Sequence, residues 1–287
     1  MNLLLSLVGF TLLAPIQAST RPFVGYIDKI NGNAVFLTPA DTKAAILLKR
    51  TDEKRLLRDQ DVIRCGPESA AIVFVSGKRM TVTSGKSLRA VEETPSVGTK
   101  GEWFSNINEI FKVGGIHRAG NERTPIWSPT SDTCVISSTF KPGYEPGDES
   151  EVSVLRTNDT PVWTYKDNGK ALPDGEIANL RKELLKVQQE STRVSLVFSI
   201  QYASSQAKSS FILLSGKEEA VIEKKLADCD KIADPFQREC ARAAVFVGAS
   251  LVNDQVTELE KLSAMYSESQ DLREQMQVAD KAIGKTP

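Results

Sequence analysis

The sequence predicts a multidomain chain, mainly β and then α. Three observations carry this. From Val62 to Glu92 apolar residues recur with a period of two, broken at Ser76-Gly77 and Ser84-Gly85, which is the pattern of short strands joined by tight turns. Between residues 123 and 214 further β-rich runs alternate with turn-forming dipeptides. From Ser215 onward the apolar spacing changes to every third or fourth residue, the period of a helix face.

A chain of 287 residues is long enough for two or three domains with cores of their own. Its hydrophobic content of 40% and charged content of 25% are those of a soluble globular protein. The net charge of -1 excludes a general attraction to nucleic acid or to anionic membranes. Leu3 to Leu13 is an apolar block, followed by Ala14, Pro15 and a small residue at Ala18. This predicts a signal peptide over residues 1–18, with cleavage after Ala18 and export to the periplasm or the exterior. The competing reading is a hydrophobic N-terminal strand. The block falls short of the about 20 apolar residues that a membrane span needs, and no transmembrane span is expected elsewhere. No cysteine follows the block, so a lipid anchor is not expected.

Residues 22–93 form the first expected domain. Val24, Tyr26, Ile27 and Ile30 suggest a strand, Asn31-Gly32 a two-residue turn, and Ala34 to Leu37 the returning strand. The apolar run Ala44–Leu48 leads into a charged segment from Lys49 to Arg55. The pieces Gly25-Tyr26-Ile27 with Ile30 and Gly32, Leu57 with Asp61-Val62-Ile63 and Gly66, Ser69 to Phe74, and Ser76-Gly77 follow in an order that resembles the FecR-like domain. Gln60, Cys65 and Ser76 depart from that pattern, where Gly, Thr and Asp are usual. The resemblance implies a small exported β module with an interaction or signalling role and no catalytic residues to carry over.

Residues 94–122 read as a linker with a short amphipathic helix. Trp103, Phe104, Ile107, Ile110 and Phe111 share one face of it, and Gly114-Gly115 stops it. This helix either docks on a flanking domain or serves as an interaction helix for a partner. His117, the single histidine, falls in the Gly-flanked loop beyond and reads as surface. Over residues 123–214 the strand candidates are Val135 to Phe140, Glu151 to Leu155, Thr160 to Tyr165, Arg193 to Tyr202 and Ser209 to Leu214. Asn158-Asp159 and Asp167-Asn168-Gly169 mark turns between them. Their spacing predicts an immunoglobulin-like β sandwich. Ser138 to Phe140, Val152 to Leu155, Pro161 to Trp163 and Phe211 to Leu213 resemble the fibronectin-type module. One segment departs from a sandwich: Glu176 to Gln189 reads as a helix with Ile177, Leu180, Leu184 and Val187 inward. Trp127 and Trp163 read as core aromatics, with sugar binding as the sharper alternative.

Residues 215–287 predict two helical hairpins. Ser215 to Glu218 opens the first helix and Pro235 the second; Asn253-Asp254 and Ser267-x-x-Gln270 supply caps for the third and fourth. The second pair loosely resembles a tetratricopeptide hairpin. Cys229 and Cys240 lie five residues either side of Asp234-Pro235, so a turn there would bring them together as a disulfide. Cys65 and Cys134 read either as a second pair or as two buried thiols.

No constellation in the sequence points to chemistry. One histidine excludes a His-based cluster, the cysteine spacing does not suit zinc, and no phosphate-binding glycine motif occurs. Asp59/Asp61 and Glu92/Glu93 are acid pairs of the kind that turns usually leave solvated. The chain is therefore expected to be no enzyme and to need no cofactor or metal. The expected role is an exported adaptor or scaffold that binds an envelope protein or a cell-wall polymer, and not nucleic acid. The alternative is a periplasmic signalling regulator of the FecR type that acts through a membrane partner.

Overall fold

A computed structural model describes residues 21–75, 78–91, 110, 125–167, 169–190 and 192–285. The expected signal peptide, most of the linker helix, His117 and Glu92/Glu93 lie outside the described residues. The coarse order is as expected, with sheets first and helices last.

The N-terminal module holds eight strands: β1 (Phe23–Asn31), β2 (Val35–Thr38), β3 (Ile46–Leu48), β4 (Leu56–Arg58), β5 (Val62–Cys65), β6 (Ala70–Val75), β7 (Lys78–Val82) and β8 (Ser87–Arg89). They form two four-stranded sheets, ordered β4-β1-β6-β7 and β3-β2-β5-β8. Val24, Ile27, Leu57, Val73 and Val75 of one sheet bury against Val35, Leu37, Ile63 and Cys65 of the other. The Asn31-Gly32 turn does not close a hairpin between paired strands. Gly32 takes φ +83°, and the turn carries the chain from the first sheet into the second. The period-two stretch that began the sequence reading likewise splits: β6 and β7 pair in one sheet, β5 and β8 in the other.

The middle region contains β9 (Ile126–Ser128), β10 (Thr133–Val135), β11 (Gly143–Tyr144), β12 (Glu151–Arg156), β13 (Pro161–Lys166), helix α1 (Asp174–Glu190), β14 (Val194–Gln201) and β15 (Gln206–Leu213). Its architecture differs from the immunoglobulin-like sandwich that strand spacing predicts. One five-stranded sheet, β10-β15-β14-β12-β13, carries the core, and its β10–β15 pair is parallel. The opposing layer is α1 with the two-stranded β9–β11 ribbon. Ile177, Leu180, Leu184 and Val187 cover Val152, Val154, Leu196, Phe198 and Phe211. Four apolar residues on one helix face are enough to take the place of a second sheet.

Helices α2 (Gly216–Cys229), α3 (Pro235–Gly248), α4 (Val252–Met265) and α5 (Gln270–Ile283) pack each on the next. The start of α2 follows the expected capping box: Ser215 Oγ accepts from Glu218 N and Glu218 accepts from Ser215 N. Asp234 caps α3 by accepting from Gln237 N at 2.8 Å, with Pro235 in the first turn. Two expected caps are displaced. Leu251 precedes α4, and Asn253 instead accepts from Thr130 N and donates to Trp127 O, tying the helix to the middle region. Helix α5 begins after Ser269 rather than Ser267.

The four cysteines are free thiols, so the expected Cys229–Cys240 disulfide is not formed. Cys229 is the last residue of α2, whereas Cys240 lies five residues into α3. The two positions are therefore not placed symmetrically in the helices about Asp234-Pro235: one ends its helix and the other lies more than a turn inside the next. Cys65 and Cys134 stay apart as well, one buried in the N-terminal core and one half-buried beside α2 and α3.

Candidate functional site

The N-terminal module and the C-terminal helices meet directly, and the polar groups of the molecule concentrate at that joint. The sheet face that does not enter the module's own core presents Phe23, Tyr26, Leu56 and Phe74 to α3, α4 and α5. Phe236 on α3 packs on Tyr26 with ring centroids 4.5 Å apart, and Tyr266 at the end of α4 meets Phe236 edge-on at 5.5 Å. Gln237 Nε2 donates to Tyr26 Oη at 3.1 Å.

Lys54 enters this aromatic cluster. Its ammonium lies 5.2, 5.4 and 5.7 Å from the ring centroids of Tyr26, Phe236 and Tyr266. These distances fall within cation–π range. Lys54 Nζ also donates to Asp28 Oδ1, and Arg79 Nη2 reaches Asp28 Oδ2 at 3.1 Å. Burial is the largest influence on Asp28 and opposes its charge, but the hydrogen bonds and charges of Lys54 and Arg79 together outweigh it and hold the carboxyl below its ordinary pKa. Lys54 itself is only 8% exposed and takes a left-handed φ of +69°. That conformation is uncommon for a residue with a side chain.

Beside the cage runs a cleft of about 200 Å³ between the module and α5. It is smaller than the roughly 300 Å³ at which ligand pockets usually begin. Its carboxylates have partners from within the chain. Arg21 binds Asp41 with two bonds of 2.7 Å and reaches Asp61 at 3.2 Å. Asp61 also accepts from Arg58 N and Ala40 N. Asp271 on α5 accepts from Leu56 N at 3.0 Å, and burial pushes its carboxyl above the usual range. The Arg58 guanidinium stacks 4.0 Å from the Phe23 ring centroid. Arg21, Asp41 and Asp61 thus bond within the module, while Asp271, with Leu56 N and Arg55, ties β4 to α5.

A second joint fixes the middle region. Glu219 on α2 is 6% exposed, and its carboxylate accepts from Ser137 N, Ser137 Oγ, Ser138 N and Gln188 Nε2. Burial works against the charge, and the bonds from Ser138, Gln188 and Ser137 overcome it, so the carboxyl lies below its ordinary pKa. Ile136 and Leu214 of the middle region bury with Ile222, Phe246 and Leu251 around it.

Of the residues singled out in the sequence, few converge. Ile110 is fully buried among α3, α4 and α5, and its carbonyl accepts from Gln255 Nε2 at 2.8 Å. Trp103, Phe104, Ile107 and Phe111 lie outside the described residues. Cys229 and Cys240 are buried in the same helical core. Asp59 and Asp61 do not form a pair; the Asp59 carboxylate accepts from Gln60 Nε2 while Asp61 holds backbone amides. Trp163 stacks on Tyr165 in the middle core, and Trp127 lies over Gly143, where a side chain would collide with the indole. The residues that sequence reasoning missed, Lys54, Asp28 and Glu219, carry no local signal: each looks like one more charge in a polar run. Among the described residues no cluster of His, Cys, Asp or Glu suits a metal ion, and no helix is long and apolar enough to cross a membrane. No family model matches the chain, and no curated protein is significantly similar to it.

Proposed function

We infer that the protein is a non-catalytic adaptor or scaffold exported to the cell envelope, where it binds an envelope protein or a cell-wall polymer. One observation carries this reading: the C-terminal helices are joined to both β modules by buried contacts, Lys54 over Phe236 and Tyr266 with Gln237 on Tyr26 on one side and Glu219 on the other. Such an arrangement holds two β modules in fixed relation and turns the faces and sheet edges that the helices do not cover outward, as a binding platform requires. The FecR-like resemblance of residues 22–93 belongs to the same reading, and its support is the order of the quoted motifs.

Tagged, cross-linked protein recovered from an envelope fraction is expected to bring down a defined protein or polymer. Recovery of none from either fraction overturns the reading. Its export component predicts a mature N-terminus at Ser19, checked by N-terminal sequencing of protein from fractionated cells.

A further inference from the structure

The open edge of the second N-terminal sheet carries a pattern that the fold itself does not use. Among the described residues, strand β3 has β2 on one side and no strand on the other. An unpaired edge offers a row of backbone donors and acceptors to another chain. Leu47 on this edge is 49% exposed and Ile46 36%. Leu47 lies opposite Phe36 of β2, so the two side chains form an apolar row on the outer face.

The unpaired charges around the edge have one sign. Lys43 stands before β3, and Lys49 and Arg50 follow it; all three are exposed and none has an ion-pair partner among the described residues. The neighbouring acids already have cationic partners, Asp41 with Arg21 and Asp52 with Arg55, and Asp52 also accepts from Lys49 N at 2.8 Å. Two copies meeting at this edge would bring like charges together. A strand with acids at its ends meets complementary charge at both ends of β3.

We propose that β3 is a strand-addition site for an extended acidic segment of a partner protein, with two or three apolar or β-branched residues at its centre and Asp or Glu at either end. The backbone ladder gives the affinity, Leu47 and Ile46 receive the central side chains, and Lys43, Lys49 and Arg50 select the charge. This inference rests on the adaptor reading and specifies the chemistry of its partner.

The test uses the full chain and a fluorescent peptide with a Val/Thr centre flanked by glutamates, followed by anisotropy at low ionic strength. It should bind at least about tenfold more tightly than the same peptide flanked by lysines. Lys49→Glu with Arg50→Glu should reverse the preference, with circular dichroism confirming an unchanged fold. A Glu-flanked peptide N-methylated at alternate amides, measured on the unaltered protein, should lose binding because the ladder cannot form. Equal binding of the two peptides, or binding that survives N-methylation, overturns the proposal; survival would mean charge adsorption of the kind an anionic polymer shows. Envelope capture separates the two readings. Capture unchanged by the charge reversal sinks this site and leaves the adaptor standing, whereas no capture by the unaltered protein sinks the adaptor.

Discussion

Lys54 shows what a single side chain does here. It joins Asp28 of the first module to Phe236 and Tyr266 of the helices, while its own backbone sits in a conformation lysine rarely takes. Nothing in the run from Lys49 to Arg55 marks it, because a lysine among charges reads as solvated. Its environment exists only once positions 26, 236 and 266 come together, and that is tertiary information. Replacing it with methionine keeps most of the volume and removes the charge. Arg79 still serves Asp28, so the expected cost is about 2 kcal/mol, below the 3–5 kcal/mol typical of a broken buried pair. A urea midpoint within error of the unaltered protein would show that the cage does not hold the joint. The cysteines give a second check at this scale. Alkylation in denaturant without reductant should modify all four, and protection of Cys229 and Cys240 would restore the disulfide that their spacing suggests.

At the scale of elements, the kind of most segments was legible and their partners were not, although the strand expected from Val135 toward Phe140 ends at Val135 and the β9–β11 ribbon carried no signal. The helix over α1 was evident from Ile177, Leu180, Leu184 and Val187, yet spacing alone could not say that it would replace a sheet. The Asn31-Gly32 turn was evident too, but a turn dipeptide fixes a reversal and not which strand lies alongside. Caps behaved in the same way. Ser215 and Glu218 close the box their spacing implies, and Glu218 falls to about 2 through its bonds from Arg193 and then Ser215. Asn253 has the side chain of a cap but spends it on Thr130 and Trp127. The two positions therefore separate by experiment. Asp234→Ala removes a true cap and should cost about 1 kcal/mol in thermal or urea unfolding. Asn253→Ala should leave helix content unchanged and instead raise amide exchange at Thr130. An unaltered exchange rate there would remove Asn253 from the joint.

For the whole molecule, the helices act as a centre to which both β modules are attached. Glu219 makes one attachment directly and Asp28 supports the other through Lys54, and the pKa values of both carboxyls in the folded chain are lowered. A group lowered on folding adds stability above its unfolded value, and that stability is lost as pH falls through the folded value. Both joints should thus loosen together below about pH 4, the ordinary carboxylate range. Intrinsic fluorescence followed against urea at decreasing pH should show the midpoint falling, and a midpoint that rises would contradict the assignment. Glu219→Ala strands buried donors on Ser137, Ser138 and Gln188 and should cost about 2–3 kcal/mol at neutral pH. The same substitution should flatten the acid dependence, which a purely steric role for Glu219 would leave intact.

The crossover at Asn31-Gly32 has a consequence for how the chain is made. Because β1 pairs with β4 and β6 while β2 pairs with β5, and β5 waits for β8, neither sheet can be completed from neighbouring strands alone. High contact order of this kind slows assembly. A growing chain must have released Arg89 before its first module can close, and the sheet face carrying Tyr26 and Phe74 stays uncovered until α3, α4 and α5 follow to shelter it.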